Sequence, residues 1–345
     1  MKKFFKILIL IIILILMAIV IYFYADQPSS SENINWGVAF SQKQAQFLGL
    51  DWKKLYSAML DDLGFKKIKI ATHWDLLESQ KDEYDFSDLD WQIAEAKKYG
   101  AQVVLAIGLK TPRWPECHLP NWAVNLSSDK QQKEIEQLIQ KIISRYHNEE
   151  IIVAWQVENE PYFPFGECPK RIDNFLEREI ELIKSFDTRP IILTDSGEWS
   201  MWFRIAKKAD IVGISLYRHV YSTTVGFLHK ILPIFPEGFY LTYPFPPKYF
   251  YAKAKLIEKI FHKPVIVTEL QAEPWLKSYT TSEIEEARTM NLEKLKDNIN
   301  FVKHTGLKEV YFWGVEWWYF KKEIQNNPSF WNEIKNLIST NLPRS

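Results

Sequence analysis

The chain has 345 residues, 47% hydrophobic and 15% aromatic, enough to fill the single core of an α/β barrel of about 250 residues or more. Lys plus Arg equals Asp plus Glu at 43 each, so there is no basic field for nucleic-acid phosphates, and nucleic acid is not an expected partner. Seven scattered histidines, two cysteines and the lack of a glycine-rich phosphate loop give no reason to expect a metal or nucleotide cofactor.

The chain opens on an uncharged apolar run from Ile7 to Tyr24. Its 18 residues would span about 27 Å as a helix, close to the hydrocarbon thickness of a bilayer. Lys2, Lys3 and Lys6 precede it, so residues 1–25 read as a cytoplasmic stub and transmembrane signal-anchor, with the rest outside the cytoplasmic membrane. A cleaved signal peptide is the alternative, but the run is long and no Ala-x-Ala site follows. Residues 26–34 read as a short polar tether, and 35–342 as one domain.

Trp36–Phe40 is the first predicted strand, and a helix from the N-cap Asp51 to Leu63 stops at Gly64. Strand 2, Lys67–Ala71, leads into Thr72, His73 and Trp74, and helix 2 opens at Tyr84-Asp85-Phe86 and ends at Tyr99-Gly100. Strand 3, Gln102–Leu109, feeds a long loop holding Trp114, Cys117, His118 and Trp122. Helix 3, Asp129–Tyr146, shows its apolar residues at helical spacing. Strand 4 runs from Ile151 through Trp155 and ends on Glu160, where Pro161 blocks further pairing.

Helix 4 (Ile172–Phe186), strand 5 (Pro190–Thr194), helix 5 (Trp199–Ala206) and strand 6 (Ile211–Tyr217) continue the alternation. Residues 218–248, rich in proline and aromatics, read as a lid over the site, a flap packed on the barrel, or a contact with the membrane surface. Helix 6 (Phe250–Phe261), strand 7 (Val265–Glu269), helix 7 (Ser282–Thr305), strand 8 (Val310–Trp313) and helix 8 (Ser329–Ile338) complete the pattern. Eight strands alternating with helices predict an α/β (β/α)8 TIM barrel behind an N-terminal transmembrane helix. Cys117 and Cys168 follow neighbouring strands 3 and 4, which outside the cytoplasm suggests a disulfide; two unrelated thiols are the alternative.

Two buried, β-branched runs thus end on carboxylates, Glu160 and Glu269. Strand C-terminal ends are where such barrels build active sites, and a facing carboxyl pair is what glycosidic hydrolysis needs. Asn159-Glu160-Pro161 closing strand 4, with Thr268-Glu269-Leu270 closing strand 7, resembles glycoside hydrolase clan A, the retaining (β/α)8 glycosidases that include cellulases, mannanases and β-galactosidases. The stretch from Trp74 through Tyr84-Asp85-Phe86 to Gly100 is similar to strand 2 and helix 2 of the family 42 β-galactosidases.

The resemblance implies Glu160 as acid/base, Glu269 as nucleophile and Asn159 on the sugar 2-hydroxyl. It further implies Tyr217 bonded to the nucleophile and Trp313 as a platform under the sugar, although Trp313 also reads as a core residue. His73 and Trp74 are further candidates for the sugar site, and His73 and His118 read equally well as satisfied loop histidines. Glu158 and Glu273 read as supporting or rim groups. The clan's strand-2 arginine is replaced by Lys69, which keeps the charge and loses the bidentate fork. The expected function is retaining hydrolysis of β-glycosidic bonds in an oligo- or polysaccharide; the alternative is a catalytically silent carbohydrate-binding barrel, motivated by that missing arginine.

Overall fold

The computed structural model describes residues 2–222, 238–275 and 287–341. Eight parallel strands close into a barrel: β1 (Asn35–Phe40), β2 (Lys67–Ala71), β3 (Gln102–Ile107), β4 (Ile152–Val157), β5 (Ile191–Ser196), β6 (Ile211–Leu216), β9 (Val265–Gln271) and β10 (Glu309–Trp313). The last two are the seventh and eighth barrel strands. Between β6 and β9, β7 (His219–Ser222) and β8 (Phe239–Thr242) form an antiparallel hairpin above the C-terminal end, here called the mouth. The hairpin takes up part of the loop expected at 218–248; residues 223–237 of that loop lie outside the described residues.

The helices follow the predicted order, with boundaries moved by local chemistry. They are α1 (Lys2–Tyr24), α2 (Gln42–Phe47), α3 (Trp52–Asp61), α4 (Trp74–Leu77), α5 (Ser87–Lys98), α6 (Ser128–Tyr146), α7 (Phe175–Phe186), α8 (Phe203–Ala206), α9 (Pro247–Phe261), α10 (Leu292–Lys303), α11 (Val315–Glu323) and α12 (Ser329–Asn341). Asp51 caps α3, its carboxylate accepting from the amides of Lys53 and Lys54. The helix expected from Trp199 is only α8, because Trp202 adopts φ +63° immediately before it. Of the helix expected at 282–305, residues 282–286 lie outside the described residues and 287–291 are not helical: α10 starts only at Leu292, where the Asn291 side chain caps it by accepting from the Lys294 amide. Sequence periodicity missed α2, α4 and α11, which are too short or too weakly amphipathic to show a stripe.

The core has two layers. Outward-facing strand residues such as Val38, Ile68, Leu105, Trp155, Leu193, Ile214, Val267 and Phe312 pack under the helices, while Val104, Ala154, Ile192, Ile266 and Tyr311 fill the barrel. Cys117 and Cys168 are joined in a disulfide, which ties the loop after β3 to the loop after β4. The described helix Phe4–Tyr24 is long and apolar enough to cross a membrane, and none of its apolar window is buried against the barrel.

Candidate active site

Glu269 reaches the barrel interior through a bulge. In the pairing of β6 with β9, Ile214 faces Val267 but Ser215 faces Glu269, so Thr268 is an extra residue; the pairing with β10 shows the same slip. Because side chains alternate along a strand, Val267 outward would put Glu269 outward as well; the inserted residue reverses the parity and sends Leu270 to the outer core instead. Inside, Glu269 Oε1 accepts from Lys69 Nζ at 2.8 Å and Oε2 accepts from the Tyr217 hydroxyl at 2.9 Å. Lys69 is 2% exposed, so this ion pair lies in a site with little water, where a charge-assisted hydrogen bond is strong. Burial, followed by the Glu269 charge, pushes the Tyr217 phenol well above its ordinary value and keeps it a donor.

Glu160 is placed by a turn beyond β4. Glu158 and Glu160 both adopt positive φ, +58° and +43°, a conformation that few non-glycine residues take and that persists only when its surroundings enforce it. Here the enforcement is visible. Lys110 Nζ donates to the Glu160 and Phe163 carbonyls at 3.0 and 2.9 Å, and the Glu160 amide donates to Thr194 Oγ1 at 2.7 Å. Glu158 points away into a fully buried seat, where Arg171 grips both its oxygens and the Leu109 amide donates to Oε1 at 3.1 Å. Gly108 makes room for it, since a Cβ there would stand 2.8 Å from the Glu158 Cγ.

Ser215 links the two carboxyls: its Cα is paired with that of Glu269, and its hydroxyl donates to Glu160 Oε1 at 2.6 Å. Burial and the charge on Glu269 raise the Glu160 carboxyl from 4.5 to about 7. One glutamate is therefore paired with a cation while its neighbour favours the proton, a division of labour seen where two carboxyls serve different roles.

The rim is aromatic. Tyr217 meets the Trp275 ring at 5.1 Å, Trp275 meets Phe165 at 5.4 Å, and Phe165 meets Trp114 at 5.7 Å, forming a wall of partly exposed rings from the loops of four strands. Arg113 lies between Glu273, which it grips with both amino groups, and Glu316, to which it donates at 2.7 Å, with its guanidinium 4.0 Å from the centre of the Trp313 ring.

The sequence profile of glycoside hydrolase family 42, described as β-galactosidase, matches residues 45–189. Mannan endo-1,4-beta-mannosidase 1 of Solanum lycopersicum is 26% identical over 134 residues, covering 32% of this chain and 33% of that protein. β-Galactosidase BgaA of Clostridium cellulovorans is 22% identical over 175 residues, 45% of this chain and 26% of that protein. The matches thus span a third or less of those relatives' lengths. Xylanase 10B from Thermotoga petrophila RKU-1, solved with xylobiose, superposes with a TM-score of 0.54 at 15% identity over 90% of this chain and 95% of that one, a likeness of fold.

The chain resembles the clan A (β/α)8 glycosidases in sequence and in fold.

Of the residues that the clan A resemblance singles out, Glu160, Glu269, Lys69 and Tyr217 come together as described. Asn159 stands beside them, its amide donating to Glu116 Oε2 at 2.9 Å. Trp313 is nearly buried, and the Arg113 guanidinium covers one face of its ring. His73 lies behind the site between Ser41 and Thr111, its ring 4.0 Å from that of His118. Burial lowers both histidines, His118 to about 3, so both are neutral imidazoles at neutral pH rather than acids. Trp74 donates to Glu78 at 2.8 Å and packs edge-on against Trp122, contacts that reach neither glutamate.

Sequence reasoning missed Ser215, Lys110, Arg113, Glu116, Phe165 and Trp275. Only Ser215 carried a signal, since it stands two residues before Tyr217 and so shares its strand face. The others are loop residues brought in by tertiary packing. Among them Glu116, in a left-handed conformation beside the disulfide, is a further buried carboxyl, and burial raises its pKa above the ordinary carboxylate range.

Proposed function

We propose that the chain is a retaining β-glycosidase in which Glu269 is the nucleophile and Glu160 the acid and base. The observation that carries this reading is the asymmetry of the pair: Glu269 is bonded by the Lys69 ammonium and the Tyr217 hydroxyl, whereas burial and the Glu269 charge drive Glu160 toward its protonated form. Glu269 attacks the anomeric carbon as Glu160 gives its proton to the departing oxygen, so the glycosidic bond breaks while an ester to Glu269 forms. Esterification removes the charge that helps raise Glu160, which, now deprotonated, takes a proton from an incoming water as that water attacks the anomeric carbon; the bond to Glu269 breaks and both groups return to their starting states. Asn159 and the Tyr217–Trp275–Phe165–Trp114 wall would hold the sugar, the rings presenting faces to pyranose C–H groups.

The β-galactosidase profile, together with relatives named for mannan and galactoside hydrolysis, supports β-glycosides as the substrate class. In this reading the N-terminal helix is an uncleaved anchor that leaves the barrel outside the cytoplasmic membrane, a location that suits the disulfide.

The test is a panel of aryl β-glycosides given to the full-length protein in detergent, with proton NMR of the first-formed sugar. Release of the β anomer supports double displacement. Release of the α anomer contradicts it, and binding across the panel without turnover supports the silent carbohydrate-binding alternative.

A further inference from the structure

The last turn of the N-terminal helix sits at the barrel's mouth. Phe23 meets Tyr249 at 5.7 Å, Lys248 Nζ stands 4.4 Å from the centre of the Tyr22 ring and donates to the Ala25 carbonyl at 3.0 Å, and the Tyr24 hydroxyl donates to the Pro244 carbonyl. Residues 244–249 are at the mouth because Tyr249 donates to the Glu198 carbonyl and Lys253 to that of Gly197, both just past the C-terminal end of β5. From Ala25 the chain descends the outside of the barrel. The Ser31 amide donates to the Lys303 carbonyl, Lys303 pairs with Glu32, and the Asn35 amide donates to Lys308 as β1 begins at the base. Six residue steps from Ala25 to Ser31 reach at most about 20 Å, roughly the height of the barrel strands, so the strap is just long enough to join the base to the mouth.

The helix N-terminal to Tyr22 is exposed and projects from the barrel, so a bilayer holding it would meet the protein at Tyr22–Tyr24, level with the mouth. A run of rings continues outward from that point. Tyr249 stacks on Phe245 at 4.7 Å, Phe245 meets Trp199 at 6.0 Å, and Trp199 donates to the Tyr243 hydroxyl at 3.1 Å. Trp199 is 60% exposed and Met201 47%, both on the loop after β5, and Phe239 is 39% exposed on the hairpin above the mouth. Exposed aromatic and apolar groups continuous with a membrane helix are the composition of a bilayer interface.

We infer that the mouth lies against the bilayer surface, with Trp199, Met201 and Phe239 among the lipid headgroups, and that the substrate is a glycan carried on a membrane lipid. The substrate half rests on the glycosidase reading above. A site opening into the gap between barrel and bilayer is reached directly by a sugar rising from a headgroup, whereas a soluble polymer would have to enter that gap from the side.

The test uses full-length protein in phosphatidylcholine vesicles with a benzophenone amino acid placed at residue 199 or at residue 186. Phe186 is exposed at the end of α7, on the base. Irradiation is expected to attach phospholipid at 199 and not at 186; no lipid adduct at 199, or equal adducts at both, overturns the orientation. In the same vesicles, a β-glycoside on a lipid should turn over at least about tenfold faster than the same sugar on a soluble aglycone, through its high local concentration. Trp199→Ser combined with Phe239→Ser should remove most of that advantage and leave aryl-glycoside turnover unchanged. Equal rates on the two substrates overturn the lipid-linked assignment. Lipid adducts at 199 without turnover of any aryl glycoside leave the orientation standing and count against the glycosidase reading.

Discussion

Replacing Glu160 by glutamine removes a titrating group that the fold keeps out of water, and the consequence for stability has a definite sign. Glu160 titrates at about 7 in the folded protein against 4.5 when exposed, because burial and the Glu269 charge both disfavour its ionised form. A group with a raised folded pKa contributes stability that is fully present below its unfolded pKa and lost as pH rises through the folded one. Raising the carboxyl from 4.5 to about 7 means, at 1.36 kcal/mol per tenfold change in proton affinity, that the wild type gives up about 3 kcal/mol between pH 4.5 and 8 on account of Glu160 alone. Glutamine keeps the size and an acceptor for Ser215 but has no proton to lose. The stability of Glu160→Gln relative to wild type should therefore rise by about 3 kcal/mol across that range, about 5 °C in melting temperature for a barrel of this size. Thermal unfolding of both full-length proteins at pH 4.5, 6 and 8 measures this. A difference between the two that is flat with pH, or that shrinks as pH rises, would refute the claim that Glu160 is held protonated by burial and its neighbour. The same proton sets activity: kcat/KM of the wild type should fall as pH rises through about 7.

Lys69→Met leaves Glu269 buried beside Tyr217 alone, and loss of one partner from a buried pair is worth about 3 kcal/mol or more. Lys69→Met should therefore unfold at a lower denaturant midpoint, with Lys69→Arg restoring most of the loss; an unchanged midpoint contradicts the pairing. Reduction of the Cys117–Cys168 bridge opens a loop with 51 residues of sequence separation, for which loop closure predicts a loss of about 4 kcal/mol, read as a lower melting temperature under dithiothreitol. An unchanged melting temperature with both thiols shown free would contradict this. Arg171→Met removes both bonds to the fully buried Glu158 side chain and should destabilise by about 3–5 kcal/mol in denaturant unfolding, whereas a loss under 1 kcal/mol would contradict a structural role for this buried pair.

The strand ends were legible in the sequence because parallel barrel strands are buried on both faces and read as continuous apolar runs, so Ile151–Trp155 and Val265–Val267 stand out against their polar surroundings. The same property hid how the glutamates turn inward. A run without polar alternation carries no register, so neither the bulge at Thr268 nor the extra residue in β4 opposite Val103 and Val104 leaves a mark in composition. Asn159 and Glu160 could not both face the sugar on a regular strand, so an irregular strand end was expected; the structure builds it from left-handed Glu158 and Glu160, held by Lys110 and Thr194. Arg113 and Glu116 were beyond sequence reasoning because each acquires its role only through partners far along the chain, Glu273 and Glu316 for one and Asn159 for the other.

The assignment of the two glutamates is tested most directly by Glu160→Ala and Glu269→Ala, each assayed against leaving groups of different acidity with and without azide. A missing acid matters least when the leaving group needs no proton, whereas a missing nucleophile matters for every substrate. Glu160→Ala should keep substantial glycosylation with a dinitrophenyl leaving group, lose alkyl and sugar leaving groups, and be rescued by azide to the β-glycosyl azide. Glu269→Ala should fail on all of them, and any azide rescue should give the α-glycosyl azide. Equal loss in both variants on every leaving group, or azide products of the opposite configuration, would contradict Glu160 as acid and Glu269 as nucleophile.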